Sequence, residues 1–305
     1  MREKICILMS TYNPNKYFLE QIKSIQNQSD VDVTLVIRDD GSKNKQYLNM
    51  IEKTNIKIIL GENVGVTKSY HLLAKHVFNN CAYNSFNYFA FADQDDYWEN
   101  DKLKTAINAL RQYKNSEPSL YYSNLMICDE DLNPLRLQWK NIIKNSKGQY
   151  LTQVFSLGCT CVFNRACLKE YTYKDTPDYT HDCIILYICV FLGNVIYDSE
   201  PHILYRQHGN NVSGNRISVF QIWVKRFRNI KDLFVGPSEI SDMSGYILNK
   251  YYKVLNEQDK NLLYLTAHYK ERLRIKIKLL LNKEIKPGYF PKSIFVFLRI
   301  LFNTH

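Results

Sequence analysis

Over the first hundred residues, short apolar runs alternate with stretches of helical spacing. Residues 5–9 are continuously apolar, the pattern of a strand buried on both faces. In 15–28, Phe18, Leu19, Ile22 and Ile25 recur at helical spacing. A β-branched run at 31–37 follows, then a helical stretch at 43–53 and a third strand at 56–60. A helix at 67–78 and a fourth strand at 86–91 complete the series. Repeated βα units predict a mainly parallel sheet covered by helices, with right-handed crossovers.

The middle of the chain is less regular. Residues 120–127 and 158–163 read as strands, and 128–148 as polar loop. A short helix is predicted at Arg165, and a buried helix over 181–192 that begins with His181-Asp182. Two short strands are predicted at 195–197 and 202–205. Beyond Gly214, stretches rich in Lys, Arg, Leu, Ile and aromatics have helical spacing, broken at Gly236-Pro237 and Pro287-Gly288. The reading is an α/β domain over 1–216 and a basic, mainly helical region over 217–305.

Polar residues collect at three strand ends, 10–13, 39–42 and 93–96. The period of the βα units puts all three on one edge of the sheet, where α/β folds bind ligands. Asp93, Asp95 and Asp96 lie within four residues at the end of the fourth strand. Carboxylates this close repel each other and call for a positive partner, and a hard divalent cation takes oxygen ligands. A helix N-terminus would account for one or two of these acids, not three. Tyr12 could stack on a flat ring with Thr11 hydrogen-bonding beside it, or Asn13 and Pro14 could simply start a helix. In Asp39-Asp40-Gly41-Ser42, a carboxylate could accept the imide N–H of uracil or thymine; alone, the motif is an ordinary Asp-Gly turn.

Charge changes the picture of the C-terminal part. The net charge is +10, of which 217–305 carries +9 (16 Lys+Arg against 7 Asp+Glu) and 1–216 only +1 (24 against 23). A basic region implies an anionic partner. No basic–apolar leader precedes the first strand, and no apolar run reaches the ~20 residues of a bilayer span. The expectation is a cytoplasmic chain. The eight cysteines show no zinc-type spacing and imply no disulfide framework.

Taken together, the motifs resemble family-2 glycosyltransferases of the GT-A fold. They are Ser10-Thr11-Tyr12-Asn13, Asp39-Asp40-Gly41-Ser42, Asn63-x-Gly65, Asp93-Gln94-Asp95-Asp96-x-Trp98, His181-Asp182 and the run Tyr205-Arg206-Gln207-His208-Gly209-Asn210-Asn211. The Asp-Gln-Asp-Asp and Tyr-Arg-Gln-His variants look most like bacterial rhamnosyltransferases of cell-wall and capsular polysaccharide synthesis. The resemblance implies a Rossmann-like nucleotide-sugar domain. It implies a nucleotide pocket of Thr11, Tyr12, Asn13, Asp40, Gly65, Lys68 and Asp93, with Asp40 on the base N3–H. It implies Mn²⁺ or Mg²⁺ held by Asp93 and Asp95, with Asp96 behind them and His208 closing over the metal or diphosphate. Asp182 would be the catalytic base of an inverting transfer.

The implied donor is dTDP-rhamnose, then a UDP-hexose. The implied acceptor is a saccharide carried on a polyprenyl diphosphate, which would bring the enzyme to the anionic inner face of the plasma membrane. Basic stretches mixed with aromatic and apolar residues at 217–232 and 268–278, and an almost entirely apolar one at 293–302, suit that surface; a helical bundle with a solvated basic face is the alternative. No nucleic-acid motif is present. In one departure, Cys183 follows His181-Asp182 where the rhamnosyltransferase-like members usually carry Trp, which leaves donor and acceptor open. An inactive sugar-nucleotide-binding scaffold on the same fold would lack the acids, and all are present. A sugar-phosphate nucleotidyltransferase would need a Gly-rich basic loop near the first strand, which is absent.

Overall fold

Strand β1 (Glu3–Thr11) is the centre from which the fold is built. Its residues Ile5 to Met9 are fully buried, as a continuous apolar run covered by helices on both faces must be. The structure is a computed structural model and describes residues 2–51, 56–140, 146–152, 155–173, 179–208, 239–285 and 292–303. β1 lies between β2 (Val31–Asp40) and β4 (Tyr88–Ala92), parallel to both, and β3 (Lys57–Gly61) extends β2 in parallel. The four parallel strands are those expected from the apolar runs.

Helices fill the crossovers. α1 (Phe18–Gln26) buries Phe18, Ile22 and Ile25, and Asn15 Oδ1 accepts the Tyr17 amide (2.9 Å) ahead of its first turn. α2 (Tyr47–Ile51) begins four residues later than its periodicity suggested. α3 (Val66–Asn79) packs Tyr70, Leu73, Ala74 and Val77 against β1 and β2. α4 (Lys102–Leu110) follows β5 (Tyr97–Trp98), a two-residue strand with no sequence signature of its own.

The rest of the sheet is mixed. Its order is β3-β2-β1-β4-β8-β6-β9-β5, with β7 on β6. β6 (Ser119–Cys128) and β8 (Cys161–Asn164) run antiparallel to each other, and β8 is antiparallel to β4. β7 (Pro134–Leu137) lies in the stretch read as loop; its side chains are mostly exposed, so no apolar alternation marks it. Gly158–Thr160 is a 3-10 turn rather than the start of a strand. The two short strands expected near 195 and 202 are one strand, β9 (Asn194–Arg206), parallel to β6. Pairing jumps from Ser123↔Asp198 to Asn124↔Pro201, so Ser199 and Glu200 bulge out where Pro201 offers no amide. Between β6 and β9 come α5 (Lys147–Tyr150), α6 (Arg165–Tyr171) and α7 (His181–Leu192), whose cysteines, Ile, Leu and Tyr are buried nearly all round. All eight cysteines are free, and only Cys81 is exposed.

The chain divides into two compact units. The first comprises 1–142, 156–189 and 193–208, and the second 143–155, 190–192 and 209–305. The second contains α5 and the helices α8 (Glu239–Tyr251), α9 (Glu257–His268), α10 (Leu273–Leu281) and α11 (Lys292–Leu301). Lys147 Nζ donates to Asp259 Oδ2 (2.6 Å) within it. The domain boundary expected at 216, the motif residues 209–211, the basic aromatic stretch 217–232 and the breaks at 236–237 and 287–288 lie outside the described residues. No helix among the described residues is long and apolar enough to cross a membrane.

Candidate active site

The parallel register brings the polar strand ends together. Thr11 pairs with Asp39, Asp40 with Gly61, and Met9 with Ala92, so β1, β2 and β4 end side by side. The loop after β4 is tied to the end of β1. Gln94 Oε1 accepts the Thr11 hydroxyl (2.6 Å) and the Tyr12 amide (3.0 Å). The Tyr12 side chain is 43% exposed, free to meet a flat ring. Asn13 adopts φ 45°, and its Oδ1 accepts the Lys43 amide (2.9 Å) while its own amide donates to Ser42 Oγ (2.8 Å). Asn13 thus joins the β1 and β2 turns and does not cap α1.

At the end of β2, the two aspartates part company. Asp39 is buried against α2: Oδ1 accepts the Ser42 amide (2.6 Å), and Oδ2 the Tyr47 hydroxyl. Asp40 faces α3 and the loop after β3. It pairs with Arg38 and accepts the amides of Val64 (3.1 Å) and Gly65 (2.9 Å). Gly41, at φ +80°, is required here, because a Cβ would meet the Asn63 nitrogen at 2.6 Å. Lys68 is exposed on the first turn of α3.

The acids after β4 form the electronegative floor. Tyr70 donates to the Ala92 carbonyl (2.7 Å) and to Asp93 Oδ1 (3.3 Å), and Gln21 Nε2 to the Asp93 carbonyl (3.1 Å). Burial, then the charges of Asp95 and Asp182, push the Asp93 carboxyl up to about 7. Asp96 is fully buried; burial and the neighbouring Asp93 and Asp95 raise it well above the usual range. Its Oδ1 accepts the Arg206 amide (3.4 Å), while its Oδ2 has no hydrogen-bond partner. The Asp95 carboxylate lies 2.9 Å from His208 Nε2.

Asp182 stands in the first turn of α7, half-buried, with Oδ1 accepting the Cys183 amide (2.9 Å). Its charge acts on Asp93, which places it at the same floor. Behind it, His181 is buried and stacked on Tyr70 (4.0 Å), and burial lowers its pKa.

The donor set fits a hard divalent cation. Carboxylate oxygens of Asp93 and Asp96 and the thiol of Cys159 lie within 4.8 Å of one another, and Asp96 Oδ2 is an orphaned buried acceptor. Burial raises the Cys159 thiol far above its ordinary value, and a hard cation takes carboxylate oxygen in preference to sulfur.

Sequence reasoning missed the residues that hold this arrangement. Arg206 is buried. Its Nε donates to the Asp95 carbonyl (3.2 Å), its other nitrogens reach the Glu130 carbonyl and the Glu20 carboxylate, and it lies over the Tyr17 ring (4.1 Å). Lys102 is also fully buried, over the Trp98 ring (3.7 Å), and burial brings its pKa down to about 8. The motif runs 93–98 and 205–211 contain Gln94 and Arg206 but gave neither a role; nothing in the sequence pointed at Lys102.

Comparison with known proteins adds independent findings. The profile of the family described as Glycosyl transferase family 2 matches residues 6–174. The dTDP-rhamnosyl transferase RfbG of Shigella flexneri is 30% identical over 244 residues, 73% of this chain and 79% of that protein. The UDP-Glc:alpha-D-GlcNAc-diphosphoundecaprenol beta-1,3-glucosyltransferase WfgD of Escherichia coli is 24% identical over 176 residues, 55% of this chain and 63% of its own. Among solved structures, S. aureus TarS 1-349 in complex with UDP-GlcNAc superposes with a TM-score of 0.57 at 15% identity, covering 92% of this chain and 77% of that one. At that identity the likeness is one of fold, the GT-A arrangement.

Proposed function

The chain belongs to glycosyl transferase family 2, and on that premise we propose that it moves a sugar from a nucleotide-diphospho-sugar to a saccharide acceptor with inversion at the anomeric carbon. The observation that carries this reading is the meeting of Asp93, Asp95, Asp96 and Asp182 at one end of the sheet. Similarity to a dTDP-rhamnosyl transferase supports dTDP-rhamnose as donor, with UDP-hexoses next. Similarity to an enzyme named for a diphosphoundecaprenol-linked substrate supports a polyprenyl-diphosphate-linked acceptor.

Each residue then has a task. Tyr12 stacks on the base, and Thr11, Asn13, Gly65 and Lys68 border the nucleotide beside Asp40. Asp93, Asp95 and Asp96 would hold Mn²⁺ or Mg²⁺. The bound cation would stabilise negative charge building on the leaving diphosphate. His208, held against Asp95, borders the same charge. Asp182 takes the proton of the acceptor hydroxyl as it attacks C1 from the face opposite the diphosphate. A single base on that face means one displacement, hence inversion.

The second unit suits a peripheral position on the inner membrane face. On α10, Leu273, Ile277 and Leu281 are exposed in one stripe, flanked by Arg274 and Lys278 on one side and Lys276 on the other. Phe297, Leu301 and Phe302 are exposed on and beyond α11, and Lys276 Nζ donates to the Leu301 carbonyl (3.1 Å).

The test is a thermal-shift panel of nucleotide sugars with Mn²⁺. A cognate donor raises the melting temperature by mass action. No shift with any dTDP- or UDP-sugar at millimolar concentration refutes the donor class.

A further inference from the structure

The carboxylate of Asp40 is nearly full before any ligand arrives. Oδ1 takes the Arg38 guanidinium and the Val64 amide, and Oδ2 takes the Gly65 amide. A carboxylate offers about four acceptor positions, two on each oxygen. One is left, and it is on Oδ2. The occupants are firmly fixed. Arg38 is buried, its Nη1 also donates to Ser69 Oγ (2.8 Å), and its Nη2 donates to the Glu62 carbonyl (3.1 Å). Ser69 Oγ in turn lies 2.5 Å from Ser10 Oγ, which ties the clasp to β1. A side chain at Gly61 would collide with the guanidinium, so Arg38 fills its space.

This occupancy discriminates between bases. Uracil and thymine present one donor, N3–H, between two carbonyls. Guanine presents two adjacent donors, N1–H and N2–H, which together seek both oxygens of a carboxylate. We propose that Arg38 determines base specificity: by taking the position on Oδ1 that the Val64 amide leaves, it leaves Asp40 able to accept one N–H and not two, which admits uracil or thymine and excludes guanine. The proposal rests on the nucleotide-sugar reading above. Arg38 acts through Asp40, as a positioning residue, so its mark is a ratio of affinities rather than a loss of folding or rate.

Calorimetric titration of the full chain with UDP, dTDP and GDP in Mn²⁺ reads that ratio. The wild type is expected to bind UDP and dTDP at least about tenfold tighter than GDP, the scale of one charge-assisted hydrogen bond. Arg38→Met frees one position on Oδ1, so that each oxygen can accept one N–H, and is expected to narrow the preference about tenfold. Arg38→Leu, which also cannot donate to Oδ1, is expected to narrow it in the same direction, which covers a methionine variant that does not fold. A ratio unchanged in a folded Arg38 variant overturns the role of Arg38. A wild type that binds GDP as tightly as UDP overturns the proposal with no variant needed, while the donor reading survives. A wild type that binds none of the three nucleotides removes the reading itself and the proposal with it.

Discussion

His208 Nε2 lies 2.9 Å from Oδ2 of Asp95, a contact between residues 113 positions apart. It joins the loop after β4 to the residue that ends the first compact unit. An acid of the proposed metal site and the histidine that would face the diphosphate are therefore one pair, and loss of the acid should disturb both roles.

Asp95→Asn is expected to lower transfer by on the order of 10²-fold or more. The melting temperature should stay near wild type, since the substitution relieves repulsion among crowded acids. Activity after chelation and Mn²⁺ replenishment measures this. Full activity in excess chelator would end the metal assignment.

Asp182→Asn keeps the shape of the side chain and removes its basicity. A loss of about 10²–10⁴ in kcat is expected, with donor and metal binding unchanged. Near-normal kcat in this variant, or an NMR spectrum showing retention at the anomeric carbon, contradicts the proposed chemistry.

The raised Asp93 carboxyl makes stability fall with pH. In the unfolded chain it ionises from its ordinary value of 3.8; in the fold it holds its proton to about 7. Between those values the folded state binds more protons, so metal-free stability decreases as pH rises from 4 to 7 and levels off above. Asp93→Asn should flatten that slope in urea melts at fixed ionic strength. An identical slope in the variant would show that Asp93 is not its source.

Arg206→Met removes the bonds to the Asp95 and Glu130 carbonyls and the Glu20 carboxylate. A cost of about 2–4 kcal/mol is expected, the range for losing a buried charged group's partners. Denaturant unfolding gives the number, and a change below about 0.5 kcal/mol, the scale of an ordinary surface substitution, would mean that the clamp is redundant.

For the second unit, Ile277→Glu with Leu281→Glu should abolish co-sedimentation with anionic liposomes, and salt should weaken wild-type binding. If the wild-type protein stays in the supernatant at low salt, the apolar stripe of α10 serves another partner.

Much of the fold was legible because its signals are local. β1, β2 and β4 are apolar runs covered on both faces, and α7 is apolar along its length. β9 was not legible as one strand, because Asp198, Ser199, Glu200 and Pro201 read as a break where the backbone only bulges. The acid triplet stood out because crowded like charges need a reason, and His181-Asp182 only through the family resemblance. The groups that orient them did not, because their meaning comes from distant partners. Arg206 meets Glu20 across 186 positions, and Gln94 meets Thr11 across 83. Asp40 carried only the expectation of a base contact; that Arg38, Val64 and Gly65 take three of its acceptor positions follows only from the β3–α3 turn folding back onto β2.

Gln94 sits between Asp93 and Asp95, two of the aspartates proposed as ligands, yet its side-chain oxygen is spent on the end of β1. The residues that would cradle the base and those that would grip the ion thus share one rigid tether. Occupancy at either end should then be cooperative, with the ion raising affinity for a bare nucleoside by the same factor by which the nucleoside raises affinity for the ion. Cutting the tether, as in Gln94→Ala, should leave both sites able to fill but independent of each other.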